Sequence, residues 1–510
     1  MANAETRKTA TDWSAFIGRW ALLLLLAGHL LLRREFAHHN LGELFGLAGM
    51  TPPAFFGYGF VTETTLLLLL PLAFLTLKRT RDRGPAPPGE AALQFGLGPA
   101  AFLALAFLLW SVGHAVAGFF REPRDVYLIF RQSALGGYAL IFLYTFIFFG
   151  NQERYVRQAA TFAIAAAIVC AALDTAGLLD PKPGTGGQYP DEHLFGQQTL
   201  PLGLLALGLY VIYFDSVAWR VMAVIALAFV GWREARRVPQ SAVIMGMAGA
   251  LMAYLLFGAA LAWRGQSYTL KRAILLAAFF GALFLASRAV FKNDSTQKTE
   301  MRAWAPKTYD DLFAVYESTR PPAVPNMKSL RPPFDIVTDP EAYKLAAVYD
   351  FAQDKGGVSV VNNIWRLLVW RRMLSDAQGG HLIVGAGVGK AWFYPALYQT
   401  RFHYGEEREG LDPHNSFLNV FYRYGAIGLA LLLALIVAVL FSAWKALRIQ
   451  PALGDVLLEG LVLFFAYSAA FTCFTVSLEG PSYAMPFWMS LGLIYAYARQ
   501  RLAMAKEGLM

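Results

Sequence analysis

Residues 412–441, DPHNSFLNVFYRYGAIGLALLLALIVAVLF, join a short polar segment to a long apolar run. The run is about as long as a helix must be to cross a hydrocarbon core roughly 30 Å thick. The polar segment holds His414 and Asn415, and Arg423 follows further along. The stretch therefore predicts a membrane helix with a histidine at its N-terminal end, and the role of that histidine has to be judged from the rest of the chain.

The composition of the whole chain also indicates a membrane protein. Of its 510 residues 56% are apolar and only 15% are charged, and the mean hydropathy is +0.42, which is too apolar for a soluble domain. Recurring runs of about 20 apolar residues predict an all-α polytopic membrane protein with about twelve transmembrane helices. The predicted spans are 13–32, 54–77, 92–118, 126–149, 158–177, 197–213, 217–232, 241–262, 272–291, 415–442, 455–477 and 482–498.

The distribution of lysine and arginine predicts the orientation of these helices. The first run follows basic residues and lacks a small-residue cleavage site, which favours an uncleaved first span with a cytoplasmic N-terminus. With twelve crossings, the basic clusters all fall on that side, and membrane orientation then explains most of the net charge of +9. These clusters are Lys78, Arg79, Arg81 and Arg83; Arg154 and Arg157; Arg264, Lys271 and Arg272; Lys445 and Arg448; and Arg499, Arg501 and Lys506.

Two kinds of site receive no support from the sequence. Basic and aromatic residues do not interleave as they do in nucleic-acid-binding proteins, so no nucleic-acid partner is expected. Cys170 and Cys473 both fall inside predicted spans, and therefore predict neither a disulfide framework nor a metal site.

The chain divides into three parts. Residues 1–291 hold the first nine predicted spans, residues 292–413 form one large loop on the outer or periplasmic side, and residues 414–510 hold the last three spans. Within the loop, the stretch from Asn362 to Ser375 has the apolar spacing of an amphipathic helix, on which Arg366 and Trp370 share a face.

A glycine-rich segment follows that amphipathic helix. Gly385, Gly387 and Gly389 resemble a phosphate loop only superficially, because Val384 and Ala391 occupy positions where that motif needs glycine and a hydroxyl residue. The segment is also predicted to lie outside the cell, where ATP is absent. We therefore interpret it as a backbone turn.

Several arginines depart from the orientation pattern. Arg233, Arg236 and Arg237 lie on the predicted outer side, where planar guanidinium groups suit a lipid-linked pyrophosphate that they can grip with two hydrogen bonds each. Tolerance of external basic residues is the competing explanation for these three, and it is the simpler explanation for the rest, which are Arg33, Arg34, Arg121 and Arg124.

Ionisable residues also fall within predicted spans. Glu63 and Arg131 are expected to neutralise each other or neighbouring polar groups, although Arg131 is also a candidate for substrate binding. His29 and His114 are expected to be packed or hydrogen-bonded histidines.

His414 has a more suggestive context. It follows a polar segment that includes Glu406, Glu407 and Asp412, and a neutral imidazole there could accept a proton from a hydroxyl nucleophile. Asn415 could orient a sugar or a phosphate. A histidine that caps a helix is nevertheless more often structural.

The stretch HNSFLNVFYRYGAIGL resembles the signature of the O-antigen ligase and polymerase family of membrane glycosyltransferases. Upstream, Arg366, Trp370 and the glycines of GAGVG resemble the same family's Arg-x-x-x-Trp and the Gly-rich turn after it, in the same order. The two motifs cover about 60 residues. The span count and the long outer loop extend the resemblance more weakly over the chain.

The resemblance implies a GT-C-like fold and a metal-independent, cofactor-free, inverting transfer. The donor would be a glycan on undecaprenyl pyrophosphate, and the acceptor a hydroxyl of a glycan or of a lipid A-core, at the periplasmic face of a bacterial inner membrane. His414 would deprotonate or position the acceptor, while Arg366 and one or more of Arg233, Arg236 and Arg237 would hold the pyrophosphate. The family often carries Ser-Arg near the eighth span, where this chain has VPQSAVIMG, so which of the three arginines acts stays open.

Three alternatives remain at this stage. A flippase or exporter of lipid-linked glycans would need a charged path, and apart from Glu63 and Arg131 the predicted spans are nearly free of charge. A binding scaffold of an export machine would work without His414. A metal-dependent oligosaccharyltransferase would need paired acidic ligands in the first outer loop, which offers Glu35 and Glu43 but no Asp-rich motif.

Overall fold

The computed structural model describes residues 12–31, 61–82, 96–120, 126–150, 152–175, 241–263, 377–389, 413–449, 456–474 and 478–506, together with individual residues in 217–281 and 366–374. These residues form helices and turns, and none of them lies in a strand. The helices are α1 (Trp13–Leu31), α2 (Val61–Asp82), α3 (Gly98–Phe119), α4 (Val126–Gly137), α5 (Ala139–Phe149), α6 (Glu153–Thr175), α7 (Ser241–Ala262), α8 (Ser416–Ile449), α9 (Val456–Thr472) and α10 (Pro481–Lys506).

The membrane character of the chain is supported by the length and hydropathy of these helices. Of the described stretches, four are long and apolar enough to cross a bilayer: Val61–Arg81, Gly98–Phe119, Gln132–Phe149 and Ser416–Ile449. Three shorter apolar stretches are Trp13–His29, Ala248–Ala262 and Leu457–Thr472. The total of twelve spans and the periplasmic placement of residues 292–413 stay predictions.

The helix boundaries follow the apolar runs, but several ends differ. α10 continues to Lys506, beyond the predicted end at 498, and α2 continues to Asp82, beyond 77. The predicted fourth span is divided into α4 and α5 by a turn at Tyr138. α8 continues to Ile449, beyond the predicted end at 442. α9 ends at Thr472 rather than 477, because the amides of Cys473 and Phe474 bond to carbonyls only three residues back, as in a tight turn. Cys473 therefore lies in the turn just after α9. The predicted spans 197–213, 217–232 and 272–291 lie outside the described residues, apart from a few isolated positions.

The last helix, α10, lies at the centre of the bundle. Every residue from 483 to 498 is buried, and α10 packs against α5, α8 and α9. The outer helices instead present apolar side chains outward: Leu68 is 70% exposed, Phe74 68% and Val437 64%. Exposed apolar surface of this kind suits contact with lipid tails.

Basic residues collect at one end of the bundle. Arg79 at the end of α2 lies 3.3 Å from Asp12 before α1, and Arg501 near the end of α10 lies 3.5 Å from Glu153 at the start of α6. The Arg19 guanidinium also stacks on a tyrosine ring of α6, 3.6 Å from its centroid. For the described residues, these contacts confirm that the basic clusters at these helix ends lie together. α8 and α10 both start at the opposite end.

Candidate functional site

His414 lies in the turn that leads into α8, at the bundle end opposite the basic clusters. Its φ is +50°, the only positive φ among the described residues other than glycine, and a left-handed backbone of this kind is costly for a histidine. The side chain of Asn415 caps the helix, since its Oδ1 accepts a hydrogen bond of 3.0 Å from the amide of Leu418. The side chain that caps α8 is therefore that of Asn415, whereas the sequence analysis considered a capping role for His414.

Arg366 and Trp370, both helical, lie against this turn. The indole Nε1 of Trp370 donates a hydrogen bond of 2.5 Å to the carbonyl oxygen of Pro413, the residue before His414. Arg366 is close enough for its charge to act on the imidazole. The structure therefore brings together two motifs whose residues Arg366 and His414 are 48 positions apart in the sequence.

The electrostatics of this turn keep His414 neutral. Burial, reinforced by the positive charge of Arg366, lowers the pKa of His414 to about 3. Burial also lowers the pKa of Arg366, which nevertheless stays charged at neutral pH because a guanidinium starts from so high a value. The buried Nε of Arg366 makes no hydrogen bond to any described residue. A fixed cation thus lies beside a neutral imidazole.

The glycine-rich segment is a turn, as predicted, and it is inserted into a break in α8. Gly385, Gly387 and Gly389 all have positive φ. Within α8, Gly425 has φ 69° and ψ −172°, a conformation that is essentially restricted to glycine. The helix predicted as continuous over 415–442 is therefore interrupted one residue after Tyr424.

Backbone hydrogen bonds of the broken helix are exchanged with the turn. The carbonyls of Tyr422 and Arg423 accept from the amides of Ala386 and Gly387, at 2.7 and 2.9 Å. In return, the amides of α8 that would have bonded to those carbonyls donate instead to the carbonyls of Leu382 and Ile383, at 2.9 and 3.2 Å. These four backbone groups of α8 thus each have a partner in the turn, as buried polar groups require.

Side chains of α3 and α4 support the break from the other side. The indole of Trp110 donates to the carbonyl of Tyr424 at 3.0 Å, and the hydroxyls of Ser111 and Tyr424 are 2.8 Å apart. Gln132 accepts a hydrogen bond of 2.7 Å from the amide of Gly389. His114 lies with its ring centroid 5.2 Å from Trp110 and 5.4 Å from Tyr424, which confirms the prediction of a packed histidine.

A buried carboxylate that the sequence analysis did not single out lies next to the start of α8. Glu479, which precedes α10, accepts hydrogen bonds from Ser416 and Asn419 of α8. Ser416, Asn419 and Arg423 are three and four residues apart, so they share one face of the helix. In the sequence, this spacing of polar residues within an otherwise apolar helix was the feature that could have indicated a buried polar contact.

The other charged residues predicted inside the spans have mixed outcomes. Glu63 accepts a hydrogen bond from the hydroxyl of Tyr138, as expected for a carboxylate paired with a neighbouring polar group. His29 lies 2.6 Å from the hydroxyl of Thr62 and is hydrogen-bonded as predicted. The statement that the spans are nearly free of charge apart from Glu63 and Arg131 was wrong, because Arg423 and Glu459 are buried within α8 and α9.

The remaining site predictions fall on residues whose side chains are not described. Arg131 belongs to α4, but its side chain lies outside the described residues, as do Arg233, Arg236, Arg237 and Asp412. α7, which follows the arginine trio, runs antiparallel to α9, and its first residue therefore lies at the end of the bundle that carries His414.

Comparison with protein-family models finds no match, and comparison with curated proteins finds none either.

The described part of the site combines a cation with a neutral hydrogen-bond acceptor. Arg366 supplies a cation with a donor that no described residue uses, and His414 supplies a neutral acceptor in a turn that is hydrogen-bonded on both sides. The Arg366 guanidinium can bind an anion, and the His414 imidazole can accept a hydrogen bond from a hydroxyl group.

Proposed function

We propose that this chain is a glycosyltransferase of the O-antigen ligase and polymerase type. It takes a glycan from undecaprenyl pyrophosphate and passes it to a hydroxyl of a growing glycan or of a lipid A-core. The reaction takes place at the periplasmic face of a bacterial inner membrane and is independent of metal. The observation that carries the proposal is the hydrogen bond from Trp370 to Pro413, by which the helical segment of Arg366 lies against the turn of His414 at one end of an apolar helical bundle. The resemblance of both sequence motifs supports the same conclusion.

In this reaction, the acceptor oxygen attacks the anomeric carbon on the face opposite the pyrophosphate. The bond from that carbon to the phosphate oxygen breaks, and its electron pair stays with undecaprenyl pyrophosphate. The configuration at the carbon inverts, and the acceptor's proton passes to His414 and then to water. Negative charge grows on the leaving group as the bond breaks, so a fixed cation at Arg366 stabilises the transition state more than the bound donor.

The donor itself would activate His414. In the free protein Arg366 contributes to the low pKa of about 3, which makes the imidazole a hydrogen-bond acceptor but a weak base. Burial is the larger cause of the low pKa and Arg366 the smaller one. A bound pyrophosphate carries negative charge that would offset the charge of Arg366, so donor binding would remove the smaller contribution and make the histidine a less weak base. Asn415 Oδ1 is engaged as a helix cap, so any contact of this residue with a substrate would use its Nδ2.

The test uses purified protein, an undecaprenyl pyrophosphate-linked glycan and a chelator, with release of undecaprenyl pyrophosphate and formation of new glycan as the two readouts. We expect turnover to survive the chelator, and His414→Ala to lower it by about 100-fold or more, as for a lost general base. Arg366→Ala should lower turnover and weaken donor binding. His381→Ala is the matched control, since His381 is another partly buried histidine of the segment before α8.

Turnover that is indifferent to His414 would refute the catalytic role. If no turnover occurs with either acceptor, movement of a fluorescent lipid-linked glycan across liposomes containing the protein would instead favour the flippase. A ladder of products identifies a polymerase, and a single adduct on lipid A-core identifies a ligase.

A further inference from the structure

The start of α8 is fastened to the segment before α10 by a carboxylate. Glu479 Oε2 accepts a hydrogen bond of 2.5 Å from the hydroxyl of Ser416, and its Oε1 accepts one of 2.9 Å from Asn419 Nδ2. The Ser416 hydroxyl oxygen in turn accepts a hydrogen bond of 3.0 Å from the amide of Leu478. Three hydrogen bonds therefore join the first turn of α8 to two consecutive residues of a different segment.

These contacts are buried, which makes them strong constraints. Glu479 is 8% exposed, Ser416 is fully buried and Asn419 is 1% exposed. A hydrogen bond to a charged group in a buried site contributes more than a neutral one, and loss of its partner leaves a desolvated charge. Arg423, one turn after Asn419, and Glu479 both act electrostatically on the hydroxyl of Tyr424, so the opposite charges lie in the same region.

The position of His414 depends on these hydrogen bonds because its backbone conformation is strained. A left-handed histidine costs about 1 kcal/mol or more, and such a residue persists only where the surrounding structure over-determines it. On its N-terminal side the constraint is the bond from Trp370 to Pro413. On its C-terminal side the constraint begins two residues later, at Ser416.

We propose that Glu479 is a positioning residue, which fixes the first turn of α8 and thereby holds the His414 imidazole beside Arg366. The inference rests on the proposed function, for which it names a residue that acts through His414 without touching the substrate. It assigns a role to a carboxylate that is separated from His414 by 65 positions in the chain. It also gives a reason for a charged group at the edge of an apolar bundle.

The kinetic test compares Glu479→Gln with the wild-type protein in the transfer assay. Loss of the Glu479 charge weakens the hydrogen bonds to Ser416 and Asn419, so the first turn of α8 and His414 can shift. Displacement of a catalytic group lowers the rate by up to about 100-fold. We expect kcat to fall by about 10- to 100-fold while the KM for the donor changes less than about 2-fold, since Arg366 is untouched. Glu459→Gln is the matched control, because Glu459 is a fully buried carboxylate that accepts a hydrogen bond of 2.6 Å from Tyr254 elsewhere in the bundle. It should leave kcat unchanged.

A second readout needs no turnover. The protein is labelled with ¹⁵N-histidine, and the titration of His414 is followed by NMR, its signal being identified by its loss in His414→Gln. Removal of a nearby negative charge by itself would lower the pKa of a histidine. Release of His414 from its buried position beside Arg366 would instead raise that pKa toward the ordinary value of about 6.5. We expect the rise in Glu479→Gln and no change in Glu459→Gln.

The two readouts separate failure of this inference from failure of the proposed function. If the wild-type protein transfers no glycan, the function fails, and the titration still decides whether Glu479 holds His414. An unchanged kcat and an unchanged titration in Glu479→Gln would overturn the positioning role. Should Glu479→Gln not fold, two other variants keep the carboxylate: Ser416→Ala removes two of the three hydrogen bonds, and Asn419→Ala removes the third. The same two outcomes in these variants decide the question.

Discussion

The substitution Gly425→Ala tests whether the break in α8 is a fixed part of the structure. An alanine would have to adopt φ 69° and ψ −172°, which costs about 1–3 kcal/mol, and its Cβ would overlap the carbonyl of Ile383. The break and the turn share four backbone hydrogen bonds of 2.7, 2.9, 2.9 and 3.2 Å. At about 1 kcal/mol each, roughly 4 kcal/mol of local stability depends on them.

Amide hydrogen exchange measures this local stability directly. If the turn is displaced in Gly425→Ala, the amides of Ala386, Gly387 and Ala426 should exchange up to about a thousandfold faster, which is the equivalent of about 4 kcal/mol. Gly113→Ala is the control, because Gly113 lies within α3 and a Cβ there meets nothing within 4 Å. It should be neutral or slightly stabilising. Protection of these amides that is equal in both variants would refute the account of the break.

Two further predictions concern the turn around His414. Trp370→Phe removes the donor to the Pro413 carbonyl but keeps an aromatic ring, so glycan transfer should fall several-fold or more as His414 loses its N-terminal constraint. Trp110→Phe, which removes a similar indole-to-carbonyl bond at Tyr424, is the control for general destabilisation. Equal losses of transfer in both variants would contradict a specific role of Trp370. The pKa of His414 is about 3 in the folded protein and about 6.5 in the unfolded chain, so between these pH values the unfolded chain binds the extra proton. The stability of the fold should therefore decrease as the pH is lowered through this window. The thermal denaturation midpoint should decrease less in His414→Gln, and an equal decrease would contradict the low pKa.

The sequence predicted the helices well because the physical signal is simple. A bilayer demands a long apolar run, and the predicted boundaries 241–262 coincide with those of α7. The proximity of Arg366 and Trp370 to His414 also followed from the paired motifs. Polar residues at helical spacing within α8 carried the only further signal.

The break in α8 and its supports were not predicted, for two physical reasons. Glycine is tolerated inside membrane helices, so Gly425 in the sequence FYRYGAIG does not distinguish a break from a continuous helix. Glu479 contacts residues 60 and 63 positions away, and the contact depends on how α8 and α10 pack, which a single sequence does not reveal.

The two motifs form one structural unit, and this affects how the site would respond to substrate. The segment with Arg366 and Trp370 is joined to α8 twice, by the indole bond before His414 and by the turn inserted at Gly425. An anion that draws Arg366 toward itself would therefore pull on the same backbone that holds the histidine, and would also offset the charge that lowers its pKa. Donor binding and activation of the histidine would thus be coupled through both geometry and charge. In the proposed reaction the base would be weak when the donor is absent, which limits unproductive chemistry, and less weak once the pyrophosphate offsets the contribution of Arg366.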